Sequence, residues 1–146
     1  MILAAAVGVV LVSAAAVGAM RWRYCLVTIH GPSMEPDLTD GDRLLVRRCG
    51  IRGLRRGRLV IFSEPGLARR RPVWLMGAAQ NVWVIKRVAA LPGDLVPCAV
   101  RSAAGGQAVV PAGAIVVLGR TPSSRDSRHW GFIPASHIFG VCQRRL

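Results

Sequence analysis

The stretch Val84-Ile85-Lys86-Arg87-Val88 decides how this chain is read. Val84, Ile85 and Val88 are β-branched and apolar, and such side chains fit a pleated, half-buried surface, so the run predicts a strand. Inside it stands Lys86, the only lysine in a chain whose Lys and Arg together number 20. Lysine can shed its proton inside a protein, whereas arginine in effect cannot. Apolar flanks on a strand would bury the amine and lower its pKa by desolvation. Lys86 is therefore a candidate general base; the plainer alternative is a single lysine left at a strand end by an Arg-biased composition.

Outward from this strand, further strands are predicted at 23–29, 43–47, 59–63, 81–88, 94–100 and 115–118, separated by Gly, Pro and Asp. Residues 66–79 and 101–113 read as exposed loops. Nothing after the first 20 residues has helical periodicity, so the expected fold is mostly β, an antiparallel domain with Greek-key or barrel-like closure. Two units are expected: a membrane anchor over 1–20 and a catalytic domain over 23–146.

Residues 1–20 carry no charge, and as a helix they would be about 30 Å long, the thickness of the hydrocarbon layer. They read as one transmembrane helix. A cleaved signal peptide is the rival, with small residues at Ala14-Ala15-Ala16, but no basic segment precedes the apolar run. Arg21 and Arg23 follow at once, and by the positive-inside rule they favour a cytoplasmic C-terminal side.

The chain has 146 residues, is 52% hydrophobic and has a mean hydropathy of +0.39, which suits one modest domain plus an unusually apolar segment. Its net charge of +13 raises the question of nucleic acid. The arginines come in short groups without interleaved aromatics, so no nucleic-acid partner is expected, and a solvated basic face or attraction to anionic lipid accounts for them. Cys25, Cys49, Cys98 and Cys142 match no metal-ligand spacing, so no metal and no cofactor are expected. Their even number permits disulfides outside the cytoplasm, with buried free thiols as the simpler expectation.

Between the first two predicted strands lies Gly31-Pro32-Ser33-Met34-Glu35-Pro36. Pro and Gly around Ser33 exclude regular structure and set its hydroxyl on a constrained turn. A serine chosen for turn chemistry would look the same; a nucleophilic serine also needs such a turn.

Taken together, Gly31-Pro32-Ser33-Met34-Glu35-Pro36 with Gly41-Asp42, Lys86-Arg87-Val88 with Leu91-Pro92-Gly93-Asp94, and Ser124-Arg125-Asp126-Ser127-Arg128 resemble the boxes of the type I signal peptidase (leader peptidase) family, bacterial and mitochondrial inner-membrane members alike. The resemblance covers nearly the whole chain, in order. It implies a membrane-anchored serine endopeptidase that removes signal peptides from exported preproteins after Ala-x-Ala-like sites. Ser33 would be the nucleophile, Lys86 the general base and Ser124 the hydroxyl that orients the amine, with Asp126 and Arg128 as a supporting ion pair. The Ser33 amide would be one oxyanion donor; at Gly31, where some members supply a side-chain hydroxyl, the second donor has to be a backbone group. Ile29, His30, Met34, Val84 and Ile85 would line the substrate groove. The implied partners are preprotein signal peptides and membrane lipid, with the catalytic domain on the extracytoplasmic, trans side against the charge bias of Arg21 and Arg23.

The chain departs from the family pattern in places. Gly119-Arg120-Thr121 stands for Gly-Asp-Asn, with one residue fewer between Gly119 and Arg128; Arg56-Gly57-Arg58 stands for Arg-Gly-Asp; and Asp37 stands for the usual threonine. Two rival readings follow: a self-cleaving repressor-like serine-lysine domain, and an inactive peptide-binding scaffold of the same fold. A triad from Ser33, His129 or His137, and Asp126 would leave the solitary lysine unexplained, so His30, His129 and His137 read as surface or loop residues. Trp74, Met76 and Trp83 are candidates for docking on the bilayer, with core packing as the alternative for Trp83.

Overall fold

A computed structural model describes residues 2–30, 34, 36–66 and 83–146, with backbone alone at 2–7, 9 and 10. Helix α1 spans Ile2–Arg23 and runs directly into strand β1 at Tyr24–Thr28. The strands that follow are β2 (Arg43–Arg48), β3 (Leu59–Ser63), β4 (Trp83–Ala90), β5 (Ala114–Leu118), β6 (Ile133–Pro134) and β7 (Ile138–Arg145). They form one antiparallel sheet in the order β1-β2-β7-β3-β4-β5-β6. The expected mostly antiparallel β architecture is therefore present, and among the described residues this sheet, with β1 and β6 as its two edges, does not close into a complete barrel.

Both faces of the sheet are covered, which explains why β3 and β5 read as unbroken apolar runs and not as alternating ones. Val60 and Phe62 of β3 join Val88, Ile115, Val117, Ile133 and Val141 in one core, while Ile61 points into a second with Ile29, Met34, Leu38, Leu44, Val46 and Cys142. A third group, Ala90, Val96, Val100, Ala104, Val110 and Val116, packs under the 91–113 segment. Twelve of these side chains, Phe62 and Ile61 among the largest, have less than 2% of their surface exposed, so each contributes about 1.5–3 kcal/mol by leaving water.

Several local expectations need correcting. No strand forms over 94–100: Leu95 makes an isolated bridge to Val109, and Cys98–Val100 is a single 3-10 turn. Pro97 lacks the N–H a ladder requires, and the chain turns at its position. Strand β7 lies inside the sheet, between β2 and β3, yet it is missing from the predicted strands. Its last three residues, Gln143-Arg144-Arg145, are polar and exposed and mask the apolar start at Ile138. Among the described residues one short α-helix also forms after the N-terminal segment, α2 at Ser127–Trp130, too short to show periodicity.

The turn out of β4 follows its sequence. In Leu91-Pro92-Gly93-Asp94 the Asp94 amide donates to the Leu91 carbonyl at 3.0 Å, the Asp94 carboxylate takes the Leu91 amide at 2.8 Å, and Gly93 has φ 86°. Proline followed by a residue of positive φ is the requirement of a type II turn, and glycine meets it without strain.

Among the residues whose side chains are described, which leave out 2–7, 9 and 10 of α1, no helix is both long and apolar enough to cross a membrane. Where α1 side chains are described they face outward, with Leu11, Val12, Val17, Met20 and Trp22 all more than half exposed. The four cysteines are free thiols; Cys142 is buried and Cys25 and Cys49 half-buried, and burial pushes the thiols of all three up, whereas Cys98 is exposed against expectation.

Candidate active site

Lys86 sits on β4 opposite Val60 of β3 and is only 2% exposed. Its Nζ donates to Ser124 Oγ at 2.5 Å, across 38 residues of sequence. Burial holds the Lys86 amine below its ordinary pKa, with the Asp126 carboxylate opposing that shift and the Arg128 guanidinium adding to it. The result is a buried amine biased toward its neutral form and oriented by a hydroxyl.

Ser124 is placed by the loop between β5 and α2. Its amide donates to the Thr121 carbonyl at 3.1 Å, and the Thr121 carbonyl also accepts Arg128 Nη2 at 2.7 Å. Asp126 is fully buried and caps α2 by accepting the Arg128 amide at 2.9 Å. The same carboxylate takes the Gly119 amide at 2.7 Å, Arg128 Nε at 3.0 Å and Arg128 Nη2 at 2.7 Å. Burial alone would raise the Asp126 pKa, but the Arg128 side chain and the Gly119 and Arg128 amides outweigh it and hold the carboxyl below its usual value.

Two residues of this site carried no assigned role in the sequence reading. Ser127 is buried and its Oγ accepts the Val117 amide at 3.0 Å, fastening α2 to β5. Gly119 is the second: a Cβ there would collide with Ser124 Oγ and lie 3.3 Å from Lys86 Nζ. Its lack of a side chain is what lets the lysine and serine meet. Gly119→Ala is therefore expected to displace Ser124 and lower kcat about 100-fold, the order expected for a misplacement of about 1 Å, while substrate KM changes little. Steady-state kinetics on the purified variant checks this, and a kcat within twofold of wild type would contradict the packing argument.

The predicted groove residues divide. Ile29 and Met34 are buried in one core, with Ile85 packed against it, so these three come together. Val84 packs into the opposite core, and His30 projects outward with 81% of its side chain exposed, 3.8 Å from Asp40. Ser33, Gly31, Trp74 and Met76 lie outside the described residues. Trp83 packs against Phe139 with ring centroids 4.6 Å apart and ring planes tilted by 49°, as a packing residue would. His137 is tied to the Ser63 carbonyl at 3.1 Å.

The family model described as signal peptidase, peptidase S26, matches residues 1–104 and 99–146. No curated protein matches the chain. Among solved structures, the chain is similar to a signal peptidase I from Enterococcus faecalis V583, with 22% identity over 60% of this chain and 95% of that one and a TM-score of 0.41.

Proposed function

The chain belongs to the signal peptidase family, peptidase S26, and from that premise we propose that it is an active serine endopeptidase that cuts signal peptides from exported preproteins through a Ser33/Lys86 dyad. The observation that carries this reading is the buried Lys86 amine, lowered in pKa and held by Ser124. A neutral amine accepts the Ser33 hydroxyl proton as the oxygen attacks the scissile carbonyl. The protonated amine then returns the proton to the leaving amine, and water hydrolyses the acyl-enzyme by the same route. The Ser33 amide is the proposed oxyanion donor, with a backbone group in place of a side chain at Gly31. Asp126 and Arg128 hold the loop that presents Ser124.

Substrate choice is proposed to rest on Ile29, Met34 and Ile85, whose apolar bulk leaves room for small side chains at the first and third positions before the cut. An Ala-x-Ala peptide is expected to be cleaved at least tenfold faster than one with Leu at both positions, since overpacking a filled site costs about 1–3 kcal/mol. Equal rates would exclude the pocket; no turnover of any such peptide would favour the inactive scaffold.

We further propose that α1 anchors the enzyme in the membrane with residues 23–146 on the trans side. A helix whose described apolar side chains face outward needs an apolar surround. Externally added protease should digest the catalytic domain in cells with a permeabilised outer layer; protection there would place the domain in the cytoplasm.

A further inference from the structure

We infer that Asp37 is a positioning residue that ties the turn following Ser33 to the strand carrying Lys86 and to the loop carrying Ser124; the inference rests on the Ser33/Lys86 reading. Asp37 Oδ2 accepts Arg87 Nη2 at 2.7 Å and lies 3.5 Å from Arg120 Nη1. Arg87 immediately follows the proposed base, and its Nη1 donates to the Gly57 carbonyl at 2.7 Å, so its guanidinium is held at both ends. Arg120 immediately follows Gly119, the residue against which Ser124 and Lys86 pack. On the third side, the Leu38 amide donates to the Met34 carbonyl at 3.0 Å, and both side chains are buried, so Asp37 projects from a turn seated on the core.

One carboxylate thus answers two guanidiniums from segments that sequence separates by 50 and, from 120 − 37, 83 residues. Without it, Arg87 and Arg120 would face each other as like charges. The same two positions are departures from the box pattern the chain resembles: an acid replaces threonine at 37, and a base replaces an acid at 120. Asp37, Arg87 and Arg120 are 27%, 43% and 55% exposed, so the contact adds little to stability; its effect is to fix where nucleophile, base and orienting hydroxyl stand relative to one another.

The test uses the full chain and an Ala-x-Ala peptide, with kcat and KM measured separately. Asp37→Thr should lower kcat about tenfold with KM within about twofold and a melting temperature within about 4 °C of wild type. Asp37→Glu should keep most of the kcat. Adding Arg120→Asp to Asp37→Thr should bring kcat back to within about threefold of wild type, because an acid again faces Arg87; Arg120→Asp alone should not gain. A wild-type kcat in Asp37→Thr, or no recovery in the double variant, overturns the inference while leaving the dyad intact if Lys86→Arg is inactive. Activity in Lys86→Arg would overturn the dyad and this inference with it.

Discussion

Lys86→Arg is expected to abolish cleavage of an Ala-x-Ala peptide, with a loss of at least about 10³-fold, or roughly 4 kcal/mol of transition-state stabilisation, matching Ser33→Ala. If Lys86 served only as a buried cation, arginine would carry the same charge and form more hydrogen bonds, and much of the activity would survive. A general base has to accept a proton, and guanidinium does not do so at any usable pH. The comparison therefore separates proton transfer from electrostatics, and retention of more than a tenth of wild-type activity would refute the base role. The pH profile gives an independent check. Burial lowers the Lys86 pKa from 10.5, against the Asp126 carboxylate and with the Arg128 guanidinium, so the competent neutral amine accumulates as pH rises through that lowered value. The rate of wild type should climb accordingly, with its midpoint below pH 10.5. Stability has the same sign. The unfolded chain binds the lysine proton more tightly than the folded one, so unfolding free energy increases with pH between the lowered pKa and 10.5. Lys86→Met should remove that increase.

The largest stability loss is expected for Asp126→Ala, about 3–5 kcal/mol in urea unfolding, the range for removing one partner of a buried ion pair. The carboxylate is fully buried and answers the Gly119 amide, the Arg128 amide and the Arg128 side chain at once. Its removal leaves those donors unmatched and takes away the N-cap of α2. Domains of this size are stable by about 5–15 kcal/mol in total, so the variant should be close to unfolding at 37 °C. Asp126→Asn keeps an acceptor for the Gly119 amide and should lose less. Wild type should also weaken in acid. The folded Asp126 pKa lies below 3.8, so its stabilisation is complete above that value and is lost as pH falls through and below it. The variant should lack this component. A loss below about 1 kcal/mol for Asp126→Ala would show that the pair behaves as an exposed surface contact.

The sequence by itself determined the features that depend on neighbouring residues. β-branched runs specified β3, β4 and β5, Pro92-Gly93 specified the turn leaving β4, and a lone lysine flanked by valine and isoleucine marked a buried amine. The order of the three boxes marked the family, because each box is a short local pattern. Tertiary structure alone decided what those elements meet. The interior place of β7 follows from its pairing with both β2 and β3, and its own polar last three residues give no sign of it. That Ile85, and not its strand neighbour Val84, joins Ile29 and Met34 follows from what covers each face of the sheet, since alternation along the strand already sets the two apart. Gly119 illustrates the limit most directly. In the sequence it is one glycine among 16, set apart only by its place in Gly119-Arg120-Thr121, and the approach of Ser124 and Lys86 from 5 and 33 residues away (124 − 119 and 119 − 86) is what shows that the position has no room for a Cβ. The contact of Asp37 with Arg87 and Arg120 is of the same kind. Propensity and turn chemistry act over a few residues, whereas steric room and charge pairing are set by strand register and packing between segments far apart in the chain.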